Sequence, residues 1–325
     1  MPYWIKQQNS KIKRTFLALF IRGEIMQQDN VDASDYTKVT ITTIVSISFI
    51  IILYFLFSNI GQIISQKSES FSSSSSIVLI YRLACLSVCV YAIRYMFTCG
   101  PGNMRVVTLD ENKEFILKPV GIKKFVTFSS WTLLMCLGYF LIAIINQTME
   151  LLDVNTISWL YSWQMIIFVA GISMSFLTAT VVRYIILPDE VKIGREHGHM
   201  FLFHEQIMHN FAAIFFAFEM LIVQPELQPD FAIFGLLFGI LYISFAYQLA
   251  YFSGGYFVYS FLHPKPKIAP IFATGLASSI ALFYLGLWTV TRFNGYNWLS
   301  WIIIIGWLSL IVQFRPKMSN HGNND

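Results

Sequence analysis

Trp159–Leu187 reads WLYSWQMIIFVAGISMSFLTATVVRYIIL, an apolar run broken by a single charge, Arg183. About 20 predominantly apolar residues are enough to cross a bilayer core as a helix, so this run predicts a membrane span. Composition carries the reading to the rest of the chain. Of 325 residues, 56% are hydrophobic and 12% charged, with a mean hydropathy of +0.59. Soluble domains carry about 25% charge; a chain this apolar does not fold around one soluble core. Other runs of span length lie at about Val39–Ile60, Ile77–Phe97, Phe125–Ile145, His204–Val223, Phe231–Ser253, Ile268–Val290 and Tyr296–Phe314. Backbone polar groups in lipid must be satisfied within their own segment, so each run is expected to be a helix. The expected fold is therefore all-α: a polytopic transmembrane helical bundle of about eight spans. It has an amino-terminal tail over 1–37, a transmembrane domain over 38–314 and a second tail over 315–325.

Basic residues set the orientation. Arg105, Lys113, Lys118, Lys123 and Lys124 follow the second run, and Lys192 and Arg195 the fourth. Lys265 and Lys267 follow the sixth, and Arg315 and Lys317 the last. The alternate loops hold only Lys67 and Arg292. By the positive-inside rule both tails are expected to be cytosolic. Trp159, Trp163, Tyr296, Trp298 and Trp301 stand near span ends, where interfacial aromatics belong. The first 37 residues are polar apart from Thr15–Ile21, which reads as part of a solvated tail or as a surface helix, and no cleavable signal peptide is expected. The net charge of +4 calls for no nucleic-acid partner. Lys67–Ser76, with its serine run, reads as a flexible linker. Cys85, Cys89, Cys99 and Cys136 read as reduced thiols. Asn146-Gln147-Thr148 is a glycosylation sequon pressed against a span end.

Ionisable and polar residues inside spans are functional candidates because they are costly there. Here they fall into two layers. Arg82 and Glu219 lie near the expected luminal ends of their runs, at matched depth, and each would be costly alone; the expectation is a structural pair. Arg94, Thr127, Arg183, His209 and Gln248 all lie near expected cytosolic ends. A hydroxyl, an imidazole, an amide and two guanidiniums at one depth suit an ester or carboxylate. Each also has a plainer reading. The arginines can snorkel, a membrane threonine usually bonds its own helix, and a membrane histidine can serve as an interhelical hydrogen bond.

His204-Glu205 begins like a helical zinc motif, but the second histidine, His209, comes five residues later. On a regular α-helix that is roughly 500°, so the two imidazoles point about 140° apart. The chain has six histidines in all, in no paired-box arrangement, and no metal is implied. No GxSxG elbow, Walker loop or dinucleotide fingerprint occurs, and no repeat of the kind expected in a transporter stands out.

Four blocks, in order, resemble the androgen-induced family of integral-membrane hydrolases over about residues 77–298. Lys124-Phe125-Val126-Thr127-Phe128 resembles the family's K-F-L-T-F. His209, ten residues before Glu219-Met220, keeps the spacing of the family histidine to its I-E-M. Gly255–Leu262, GYFVYSFL, resembles G-M-W-V-Y-P-F-L. Tyr284-Leu285-Gly286, then Asn294 to Trp298, resembles the end of the last family span. The resemblance implies a six-span core, here with an extra span at each end. It also implies an endoplasmic-reticulum threonine hydrolase acting on esters of hydroxy fatty acids. Thr127 would be the nucleophile and His209 the base. Arg94, Arg183 and Gln248 are the candidate substrate-binding residues, with Gln248 a candidate oxyanion donor. No metal or organic cofactor is implied; the partners are membrane lipids and the fatty-acid ester, and any protein partner is unidentified. The chain departs from the family pattern at Val182, Tyr184, Gln206, Asn210 and Ser260. The alternative is a non-catalytic member of the fold that binds lipid or partner helices.

The orientation is testable. Protease sites placed before Thr37 and after Phe314 are both expected to be cut from the cytosolic face of sealed microsomes; cleavage from opposite faces would refute the charge argument.

Overall fold

The computed structural model describes residues 35–110, 112–154 and 157–315. The stretch Thr15–Ile21 and the tail residue Lys317 lie outside them. Among the described residues, seven helices are long and apolar enough to cross a membrane: α1 (Thr37–Phe57), α3 (Ser76–Thr98), α4 (Phe128–Leu151), α5 (Ser158–Lys192), α6 (Phe203–Val223), α7 (Pro229–Gly254) and α8 (Ala269–Asn294). A short helix, α2 (Ile60–Lys67), follows α1. The last apolar run forms α9 (Trp298–Ile311), of only 14 residues. It is shorter than the run because the Asn297 side chain caps its start, accepting from the Leu299 and Ser300 amides, and Val312 is extended. The fold is an all-α polytopic helical bundle, as its composition requires.

α5 is the central helix, packing on α2, α4, α6, α7, α8 and α9. Its small residues permit this. A Cβ on Gly171 would run into the Phe216 ring of α6, and one on Gly235 of α7 would lie 3.1 Å from Ser173 of α5. Glycine at such contacts lets membrane helices approach closely enough for dispersion to hold them.

One end of the bundle carries structure that hydropathy does not predict. β1 (Met104–Thr108) and β2 (Glu114–Leu117) form a hairpin, and β1 also pairs antiparallel with β3 (Tyr256–Phe257), giving the order β2-β1-β3. The connection after α3 is thereby stitched to the connection after α7. Lys124 sits here too. Its buried ammonium donates to the carbonyls of Met96 and Gly100 at the end of α3, where a cation also meets the negative end of the helix dipole.

At the far end, Arg82 of α3 and Glu219 of α6 meet fully buried. Arg82 Nε and Nη2 lie 2.8 and 2.7 Å from Glu219 Oε1. The Tyr139 hydroxyl of α4 donates to the same oxygen at 2.8 Å. Arg82 Nη1 donates to Gln147 Oε1 at 3.0 Å, and Gln147 Nε2 to the Ser75 carbonyl at 2.9 Å. Lys67–Ser76 is accordingly not a flexible linker. Ser68–Phe71 form a 3₁₀ turn, Phe71 is buried against Phe168 and Tyr139, and its carbonyl accepts from Arg82. Serine composition suggested solvation; the arginine's need for acceptors overrode it. Asn146 is buried as well and donates to Gln164 Oε1 at 2.7 Å, so the sequon is closed to modification in this fold. Cys85, Cys89 and Cys136 are buried free thiols.

Removing one partner of a buried pair strands the other charge, at a cost of about 3–5 kcal/mol, whereas replacing both by apolar groups is often neutral. Arg82→Met and Glu219→Leu are each expected to lower the melting temperature in detergent markedly, and the double variant to recover most of the loss. A double variant as unstable as the sum of the singles would show the two side chains act independently.

Candidate functional site

A cavity of about 1620 Å³ opens at the hairpin end. Ile44, Ile47 and Ile51 of α1, Leu236 and Ile240 of α7 and Ile280 of α8 form an apolar limb. The hairpin and the end of α5 form a charged rim. There Arg105 pairs with Asp189, and lies 3.4 Å from Glu190 and 3.6 Å from Glu114, while Arg195 lies 3.0 Å from Glu190. Thr127 and His209 both line this cavity.

Thr127 is the N-cap of α4. Its backbone is extended, and its Oγ1 accepts the Ser130 amide at 3.1 Å. The Ser129 hydroxyl donates to the same oxygen at 3.2 Å. An oxygen that accepts twice keeps its own proton available for a third partner. Neighbouring tyrosines fix the turn: Tyr242 donates to the Val126 carbonyl, and the Phe128 amide donates to the Tyr259 hydroxyl, each at 3.1 Å. Tyr259 lines the cavity as well. Burial, aided by the nearby Glu205 carboxylate, pushes its phenol up to about 12, against the pull of the Phe128 amide and the Ser129 hydroxyl.

His209 lies on a π-helical turn, Ile207–Phe211, inserted into α6. The regular-helix angle between His204 and His209 therefore does not apply, since the wider turn changes the register. Glu205 reaches both rings, with Oε1 3.4 Å from His204 Nε2 and Oε2 3.3 Å from His209 Nε2. The other ring nitrogen, His209 Nδ1, is buried without a hydrogen-bond partner among the described residues. No group of three or more histidine, cysteine or carboxylate side chains among those residues is placed to hold a metal ion.

None of the three candidate substrate-binding residues lines this cavity, although Arg183 lines a small void together with His209. Arg94 is exposed on the outer face of α3, because Cys89, Ala92 and Met96 make its buried stripe. Gln248 is exposed on α7, whose inward face runs through Tyr242, Ala246 and Ala250. Neither lines the cavity, and these two corrections share a cause: depth in the bilayer does not fix helix face. Arg183 is engaged with α9, donating to the Ser309 carbonyl at 3.0 Å and to that of Val312. Sequence reasoning gave no role to Glu205 and Tyr259, although both fall inside stretches it had quoted.

Three of the positions that depart from the family-like pattern gather near α9. Tyr184 donates to the Leu310 carbonyl. Asn210 exchanges two 2.9 Å hydrogen bonds with the Gln313 backbone and donates to Gln206 at 2.9 Å. Ser260 instead lines the cavity at the hairpin end. Compared with family models, curated proteins and solved structures, the chain matches none.

The cap role of Thr127 separates from any chemistry. Thr127→Val is expected to cost about 0.5–2 kcal/mol of stability through the lost cap, and Thr127→Asn, a good N-cap, much less. Equal melting temperatures for the two variants would deny the cap its weight.

Proposed function

We propose that this protein is a membrane-embedded lipid esterase that hydrolyses fatty-acid esters, such as those of hydroxy fatty acids, with Thr127 as nucleophile and His209 as base. The observation that carries the reading is a shared cavity. A threonine hydroxyl with an uncommitted proton and a buried histidine line one chamber together with apolar residues of α1, α7 and α8; the histidine's Nδ1 has no hydrogen-bond partner among the described residues and is itself closed off, so it must turn toward the hydroxyl to act. The acyl chain lies against those apolar residues and the ester at the polar end.

Threonine is a weak nucleophile until a neighbouring base takes its proton. Glu205, held at Nε2, favours the tautomer with hydrogen there and the lone pair on Nδ1. His209 Nδ1 accepts the Thr127 proton as Oγ1 bonds to the ester carbon, giving a tetrahedral oxyanion. Collapse breaks the bond to the alcohol, which leaves with the proton from His209. Water, deprotonated by His209, then attacks the acyl-threonine; the acid departs and Thr127 regains its proton. In this reading the protein resides in the endoplasmic-reticulum membrane with both tails and the charged rim cytosolic, in keeping with the distribution of basic residues.

The test is hydrolysis of a fatty-acid ester by detergent-purified protein, with fluorophosphonate labelling. Thr127→Ala and Thr127→Asn are expected to abolish both turnover and labelling. General acid–base help is worth about 10²–10⁴ in rate, so His209→Ala should cost at least that factor. Residues acting as a unit give non-additive losses, so the double variant should be about as inactive as either single one. Unchanged specific activity with a lowered melting temperature would instead favour a lipid-holding protein of the same fold.

A further inference from the structure

An attacked ester develops negative charge on its carbonyl oxygen, and a preorganised donor for that charge is commonly worth about 10²–10³ in turnover. Gln248 lies outside the cavity, so the donor must come from elsewhere. The Tyr259 phenol is within hydrogen-bond distance of the residue next to the nucleophile: its oxygen accepts the Phe128 amide at 3.1 Å. Phe128 directly follows Thr127 at the start of α4. The ring is held rigidly, stacked on Phe261 with centroids 5.0 Å apart and planes 8° apart. The Phe128 amide and Ser129 both act on the phenol from the donor side, which leaves its own hydrogen to be donated to a substrate, and Tyr259 and Thr127 line the same cavity. The start of α4 adds partial positive charge in the same place.

We propose that Tyr259 is the oxyanion donor of this site, its phenolic O–H donating to the carbonyl oxygen of the ester as Thr127 attacks. The proposal rests on the threonine-hydrolase reading. No proton is transferred: the hydrogen bond strengthens as the oxygen gains charge and weakens when the carbonyl re-forms. Because burial pushes the phenol up to about 12, it remains a donor throughout the neutral range.

The experiment begins with wild type and Thr127→Ala, which establish whether fluorophosphonate labelling and ester hydrolysis depend on Thr127. Tyr259→Phe is then compared with wild type for kcat, KM and binding of two inhibitors. One is a long-chain trifluoromethyl ketone, which forms a tetrahedral oxyanion adduct; the other is an ether analogue of the ester, which cannot. The expected result is a kcat lower by about 10²–10³, a KM changed by less than about threefold, weakened ketone binding and unchanged ether binding. A merely structural tyrosine would move both inhibitors and the melting temperature together.

If Tyr259→Phe fails to fold, 3,5-difluorotyrosine at position 259 preserves shape while acidifying the phenol. The alkaline limb of the pH–rate profile should then move to lower pH, and an unmoved limb overturns the proposal. A Tyr259→Phe protein that labels at Thr127 and keeps kcat within about fivefold of wild type removes Tyr259 while leaving the hydrolase reading intact. Absence of Thr127-dependent hydrolysis in the wild type overturns both.

Discussion

The Arg82–Glu219 pair is the constraint around which the far half of the bundle is arranged. A guanidinium and a carboxylate that are fully buried need further hydrogen bonds besides their own to remain charged, and here these converge on Glu219 Oε1, while Oε2 has no partner among the described residues. That demand draws in Tyr139 and Gln147 from α4 and the Phe71 and Ser75 carbonyls from the segment before α3. α3, α4 and α6 are thereby held at one rotation about their axes. Since α6 also carries His209 and α4 begins at Thr127, the same rotation presents both residues to the cavity at the opposite end.

The hairpin end solves a different problem. Three π-helical turns occur there, Val182–Ile186 in α5, Ile207–Phe211 in α6 and Leu249–Gly254 in α7. Such turns insert a residue, re-aim the side chains beyond it, and are frequent at functional sites. The first precedes Pro188, whose ring would clash with a carbonyl of a regular helix. The second brings Glu205 between two histidines. The first two contribute residues to the cavity wall, Val182 and Tyr184 from one and His209 from the other.

α9 gathers a set of polar side chains on one face of the bundle. Arg183, Tyr184, Gln206 and Asn210 all bind backbone groups at the end of α9 or each other. Helix-terminal carbonyls have no intrahelical partners and must find donors. A helix end packed against this face requires polar side chains suited to its carbonyls. Arg183, Gln206, Asn210 and Gln313 also line a small void together with His209.

By itself the sequence determined the helical membrane fold, because continuous apolar runs of about 20 residues satisfy their backbone groups in lipid as helices, not as the short alternating strands of a barrel. It also indicated the Arg82–Glu219 pair, because two costly charges at one depth stabilise each other. Depth along a span is a one-dimensional quantity that hydropathy carries, and Thr127 and His209 were legible on that axis. Rotation about the helix axis is not, which is why Arg94 and Gln248 read as site residues yet face outward. The β2-β1-β3 sheet joins β1 to a strand about 150 residues away through backbone pairing, and such pairing leaves no mark in local composition. The order of Lys67–Ser76, the π turn beneath His209 and the approach of Tyr259 to the head of α4 were likewise decided by tertiary structure. Each depends on a partner that the chain meets only after the helices have packed.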